Sequence, residues 1–305
     1  MRVGRNFKNF PKDSVITMGS FDGCHLGHRK IVSQLVSEAK KKNRQSLILT
    51  FDPPPQFFLK KSKILTLVEE KKQIFEKLRL DNLLVIKFDS KIASETAEEF
   101  IREILVDKLS ISDILVGYDH RFGKERKGDF SLLEKLGKKY NFGVSAVSPQ
   151  NHNGSPISST RIRDAILKGK IEEANSLLGR PYSFRGRVFK DRERGRKLLY
   201  PTCNLKVNEK KLIPCMGVYV VYVIWKGKRF GGIMNIGTRP TFSKLGKVSV
   251  EVHIFDFKER LYGETIDVEC VEKIREERTF KDKQSLRRQI EKDEKIARAS
   301  IEVVS

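Results

Sequence analysis

Five short apolar runs punctuate the first half of the chain, at 15–18, 46–51, 83–88, 113–116 and 142–147. Each has strand length, and several are rich in β-branched residues. Between them apolar positions recur at helical spacing over 29–42, 69–80, 96–109 and 130–140. In the first of these segments Ile31, Val32, Leu35, Val36 and Ala39 share one face. Strands alternating with helices predict a mostly parallel sheet covered by helices. The rhythm breaks at Leu178-Gly179-Arg180-Pro181, where a helical pattern ends on Gly and Pro. Strand patterns then follow one another directly, at 182–188, 218–225, 229–235, 248–255 and 265–271, joined by turns such as Lys226-Gly227-Lys228. The last segment is strongly charged and carries Leu286, Ile290 and Ala297 on one helical face. The expected fold class is α/β plus all-β, with a parallel-sheet domain over 1–178. An antiparallel β-barrel with a C-terminal helix is expected over 179–305. A length of 305 residues agrees with two cores rather than one.

Chemistry collects where the predicted strands of the first half end, as expected for an open parallel sheet. The first run leads into GSFDGCHLGH at 19–28, between a strand and a helix. Backbone N–H groups at a helix start, with the helix dipole, favour a phosphate there. His25 and His28 straddle Gly27, so both rings can reach one anion. A turn whose histidines merely cap the helix is the plainer alternative. The second run stops at three prolines, 53–55, which fix the exit path. The fourth meets Tyr118, Asp119, His120 and Phe122, between Gly117 and Gly123. Asp119 suits a turn, or with the aromatics a flavin or adenine pocket. After the fifth come Ser159, Thr160 and Arg163, hydroxyls and a cation at a helix start that serve either as an N-cap or as phosphate ligands. No Ser or Cys nucleophile is set against a base, so the arrangement suits phosphoryl or nucleotidyl transfer.

Composition narrows the classes. Hydrophobic content of 39% and charged content of 33% describe a globular chain. The opening 13 residues are basic with no apolar core, so no secretory signal is visible, and no run is long enough to span a bilayer. Cys24, Cys203, Cys215 and Cys270 form no C-x-x-C pair, which points away from zinc or a disulfide framework and toward a cytoplasmic location. Net charge is +22, with 33 basic against 22 acidic residues over 1–180 and 28 against 17 beyond, +11 in each part. The charge is spread, without a basic tail or an aromatic ladder, which weighs against nucleic acid as a partner and agrees with polyanionic substrates such as ATP. A basic nucleic-acid-binding protein remains the alternative from another class. Oligomeric state is not encoded in any of these features.

The 19–28 stretch resembles the signature of nucleotidyltransferases that form dinucleotides with release of pyrophosphate, in the form closest to the FAD synthetase branch. The second half resembles riboflavin kinases. Its GRKLLYPTCNL run at 195–205 matches a block whose core is Pro-Thr-Ala-Asn, and the 235–242 and 250–257 blocks, Leu261-Tyr262-Gly263 and Ile274-Arg275-x-Glu277 follow in order. Together the motifs cover almost the whole chain and identify it with the bifunctional riboflavin kinase/FAD synthetases of bacterial type. The resemblance implies a Rossmann-like nucleotidyltransferase domain followed by a kinase barrel, with ATP, riboflavin and FMN as substrates and Mg²⁺ as cofactor. It places Gly19, Phe21, Asp22, Gly27, Ser159, Thr160 and Arg163 around ATP phosphates, with His25 and His28 catalytic and Tyr118, Asp119 and Phe122 near flavin. In the second half it makes Glu251 the catalytic base and Thr202 a metal residue. Gly195, Pro201, Asn204, Asn235 and Arg275 are implied to bind ATP or flavin. Glu251 alternates with Val250 and Val252, so a solvated strand glutamate is the rival reading. Three positions depart from the family pattern: Pro54 where His is common, Cys203 where Ala is usual, and His120 where Phe is frequent. Pro54 keeps open an enzyme with only the kinase domain active.

Overall fold

A computed structural model describes residues 1–8, 10–189, 202–238 and 248–304. The chain divides into two compact units, Met1–Ser159 and Thr160–Ser305.

In the first unit the apolar runs form β2 (Val15–Met18), β3 (Ser46–Phe51), β4 (Asn82–Ile86), β5 (Asp113–Gly117) and β6 (Gly143–Val147), after an opening strand β1 (Arg2–Gly4). They make a six-stranded parallel sheet in the order β1-β4-β3-β2-β5-β6. The strand order reverses beside β2, whose neighbours are β3 and β5. In open parallel sheets such a switch point, at the strands' carboxyl ends, is where ligands bind. β1 was not expected: Arg2 and Val3 are exposed and Gly4 has no side chain, so the stretch carries no hydrophobic signal, yet its backbone pairs with Asn82, Leu83 and Leu84.

Helices α1 (Leu26–Lys41), α2 (Pro55–Lys60), α3 (Val68–Lys77), α4 (Ser90–Ser94), α5 (Ala97–Phe100) and α6 (Phe130–Tyr140) connect the strands. The expected single helix over 96–109 starts as α5, with Thr96 and Glu99 forming a capping box, and widens to π-type turns over Ile101–Lys108. Both sheet faces are covered. Ile16, Leu49, Ile104 and Leu133 belong to one apolar cluster, and Val15, Leu35, Ile48 and Phe75 to the other. A small ribbon of β7 (Asn151–His152) and β8 (Ser155–Pro156) precedes Ser159.

In the second unit α7 (Ser159–Leu167, its first residue in the preceding unit) and α8 (Ile171–Leu178) lead into β9 (Tyr182–Phe189), β10 (Cys203–Val207), β11 (Gly217–Trp225), β12 (Lys228–Thr238), β13 (Val248–Ile254) and β14 (Thr265–Arg275). These close an antiparallel barrel in the order β10-β13-β12-β11-β14-β9. β10 begins inside the 195–205 motif and was not read as a strand, being short and half polar. On β13, Val250, Val252 and Ile254 are buried while the residues between them are half-buried, the period-two pattern of a barrel wall. The closing helix α9 (Lys283–Val304) packs Ala297 and Ile301 against Val218, Val220 and Ile233. Leu286 and Ile290 on the same face are half-buried. Asp293 also falls on this stripe and is buried in an ion pair with Arg275.

Candidate active sites

The 19–28 loop leaves the end of β2 and enters α1. Its backbone is unusual: Phe21, Gly23 and Cys24 all have positive φ, +46°, +91° and +44°. His25 is the N-cap of α1. Its Nδ1 accepts the His28 backbone N–H at 3.3 Å, which puts the proton of the neutral ring on Nε2. The capping role weighed for these histidines is therefore real for His25. It does not account for His28, whose ring stacks on His25 with centroids 3.6 Å apart and whose buried Nδ1 has no hydrogen-bond partner among the described residues. Burial, then the neighbouring His25 and Lys71, hold His28 well below the ordinary imidazole range. Gly27 is needed where it stands, since a Cβ there would crowd the His25 ring at 3.2 Å.

The remaining expected phosphate residues divide by what they touch. Asp22 is fully buried, and its carboxylate accepts the backbone N–H groups of Leu65 and Thr66 and the Gln56 amide. It anchors the loop from behind. Ser159, 137 positions away in sequence, donates its hydroxyl to the Asp22 carbonyl at 2.7 Å and so joins the start of α7 to the loop. Thr160 and Arg163 continue that helix, Thr160 exposed and Arg163 half-buried. Gly19 donates its N–H to Leu49 on β3, tying the loop's first residue to the sheet.

At the end of β5, Tyr118 is 72% exposed and Asp119 is also exposed. Phe122 instead lies in the apolar cluster below, stacked with His120 at 5.8 Å. The buried Nε2 of His120 has no hydrogen-bond partner among the described residues, and burial pushes its pKa down to about 4, with Asp119 opposing and Arg126 adding to the fall. Pro54 is buried ahead of α2, the short helix that brings Gln56 to Asp22.

Sequence reasoning missed Lys71. This lysine of α3 is 1% exposed and donates Nζ to the Ser20 carbonyl at 2.6 Å. Burial lowers its pKa, against the opposing pull of Cys24, Asp22, Asp52 and Glu70. A signal was available: Lys71 occupies the helix face of Val68, Ile74 and Phe75, where a lysine has to find a purpose.

In the barrel three expected residues fall in one row. Register pairs Asn204 of β10 with Glu251 of β13, and Glu251 with Asn235 of β12. Directly opposed residues share a face, so a carboxylate stands between two amides on the barrel's outer wall. Glu251 is half-buried, not a freely solvated strand glutamate. Two pairs further along, at Gly237↔Ser249, Glu277 lies so close to Gly237 that a Cβ there would collide with its carboxylate. Thr202, half-buried, immediately precedes β10. Arg275 continues the row beyond Val218, but its Nε and Nη2 hold Asp293 of α9 and its Nη1 holds the Glu276 carbonyl. Gly195 and Pro201 lie outside the described residues. Among the described residues no cluster of three His, Cys, Asp or Glu side chains could hold a metal.

Comparison with known proteins gives two family matches, one described as FAD synthetase over residues 7–161 and one as riboflavin kinase over residues 178–301. A bifunctional riboflavin kinase/FMN adenylyltransferase from Buchnera aphidicola (subsp. Schizaphis graminum) is 42% identical over 300 residues, covering 96% of each chain. The protein of that description from Escherichia coli K12 is 37% identical over 298 residues, covering 96% of this chain and 95% of its own. A crystal structure described as a macrolide-efflux protein from Streptococcus pneumoniae superposes with a TM-score of 0.87 at 32% identity, covering 97% of this chain and 98% of its own. Among the described residues no helix is long and apolar enough to cross a membrane.

Proposed function

The chain belongs to the bifunctional riboflavin kinase/FMN adenylyltransferase family, and we propose that its two reactions are carried by the residues located above. One reaction moves the γ-phosphoryl group of ATP to the terminal ribityl hydroxyl of riboflavin, giving FMN and ADP. The other joins FMN to the AMP part of a second ATP, giving FAD and pyrophosphate.

A hydroxyl is a weak nucleophile, so the first reaction gains from a positioned base. Glu251 takes the hydroxyl proton as the oxygen attacks the γ-phosphorus. The observation that carries this assignment is its register position between Asn204 and Asn235, two amides suited to orienting the carboxylate and the phosphates beside it. Thr202 and Asn204 offer hard oxygen donors, which suits Mg²⁺, a cation held by few protein groups plus substrate phosphates. Bound there, it would neutralise charge on ATP.

FMN phosphate is already an anion and needs no base. Its oxygen attacks the α-phosphorus and pyrophosphate leaves, so the site must stabilise charge. His25, His28, the N–H groups of the 19–28 loop, Ser159, Thr160 and Arg163 serve that purpose, while Tyr118 and Asp119 meet the flavin or adenine. Among the described residues the cysteines form no disulfide, which supports a cytoplasmic setting.

The test is incubation of purified protein with riboflavin, ATP and Mg²⁺, with products separated by chromatography. FMN should appear first and FAD follow. FMN accumulating without FAD under excess ATP would leave a kinase alone.

A further inference from the structure

The 19–28 loop is held from behind by one stretch of chain. Asp22 takes the backbone N–H groups of Leu65 and Thr66 at 2.8 and 3.0 Å. A few residues on, Lys71 donates to the Ser20 carbonyl, which also accepts the Thr50 hydroxyl at 3.3 Å. Both donors draw that oxygen into the protein. In a trans peptide the next N–H points the opposite way, so the Phe21 N–H is turned away from Lys71. Among the described residues it has no acceptor. Phe21 keeps this orientation at φ +46°, a conformation rare for a large aromatic residue and one that needs an external hold.

We propose that Lys71 is a positioning residue for adenylyl transfer: by clamping the Ser20 carbonyl its ammonium turns the Phe21 N–H toward bound phosphate and adds a fixed positive charge behind the loop. This rests on the reading of the 19–28 loop as a phosphate site. The charge reaches His28 as well. His25 from the head of α1 and Lys71 from α3 both oppose its protonation, beyond the effect of burial. Lys71 itself faces Cys24, Asp22, Asp52 and Glu70. Removing the ammonium therefore raises the protonation midpoint of His28.

The test compares full-length protein with Lys71→Met, which keeps the aliphatic stem without charge or donor, and Lys71→Gln, which keeps a donor without charge. Measured for each are kcat for FAD formation from FMN and ATP, riboflavin phosphorylation in the same preparation, and the His28 imidazole midpoint by NMR. Lys71→Met should lose about 10²-fold in kcat for FAD formation, the low end of what removal of a direct donor costs. Riboflavin phosphorylation should stay unchanged and the His28 midpoint should move up. Lys71→Gln should recover part of the rate while keeping the raised midpoint. Wild-type kcat in Lys71→Met, or a loss with the His28 midpoint unmoved, overturns the proposal. If Lys71→Met fails to fold, Lys71→Gln decides: wild-type rate and midpoint overturn it, reduced rate with a raised midpoint supports it. His28→Ala, assayed alongside, separates the two layers. Full FAD synthesis in that variant overturns the phosphate reading of the loop. Its loss, with Lys71→Met still at wild-type rate, overturns only the role of Lys71.

Discussion

Two imidazoles in the first unit have a buried nitrogen with no hydrogen-bond partner among the described residues, His28 in the 19–28 loop and His120 beside Phe122. Each is held below the ordinary histidine range, so each binds a proton less readily in the folded chain than in the unfolded one. The sign follows. Above about pH 6.5 neither state is protonated there and nothing is lost. As pH falls below 6.5 the unfolded chain takes up the proton first and stability drops, for His120 until its folded value of about 4. His120→Phe should therefore stabilise the amino-terminal unit at acid pH and change little at pH 8. The gain should grow between pH 6.5 and 4 to at most about 3 kcal/mol. Thermal unfolding followed across that range measures it, and a gain independent of pH would remove protonation from the explanation. The 19–28 loop was legible as a candidate site because Gly-x-His-x-Gly-His brings its residues in one run. Lys71 was not legible as part of the site, because it reaches the loop only after a strand and two helices have been laid down between them.

Elements with a strong period were readable, and elements held by backbone pairing were not. β2 and β3 coincide with the expected runs, since buried parallel strands read as continuous apolar stretches. β1 and β10 carry too little apolar sequence to announce themselves, and each exists because its neighbour offers a ladder. α8 matters for a related reason. Its Asn175 donates to the Cys270 and Val271 carbonyls of β14 and accepts the Tyr182 N–H of β9. The sequence break at 178–181 suggests cutting there, but that cut removes this bridge. A fragment of residues 160–305 should fold and phosphorylate riboflavin with higher thermal stability than one of 179–305. Each buried polar group left without its partner typically costs about 1–3 kcal/mol. Equal melting temperatures for the two fragments would make the bridge energetically idle.

At the scale of the whole chain, a net charge of +22 shared evenly between the parts says only that polyanions are welcome. The residues proposed for the two reactions fall in different units: His28 lies in Met1–Ser159 and Glu251 in Thr160–Ser305. If one chain carries two independent sites, each can be removed without the other. His28→Ala should lose about 10²–10³ in FAD formation and still make FMN. Glu251→Gln should lose about 10²–10⁴ in riboflavin phosphorylation, mainly in kcat, and still adenylylate supplied FMN. The most direct measurement mixes the two variants with riboflavin, ATP and Mg²⁺ and follows FAD. Neither variant alone should deliver it at the wild-type rate, and the mixture should, because free FMN passes from one protein to the other. A mixture that stays as slow as its parts, or a single variant that loses both reactions, would contradict two independent sites.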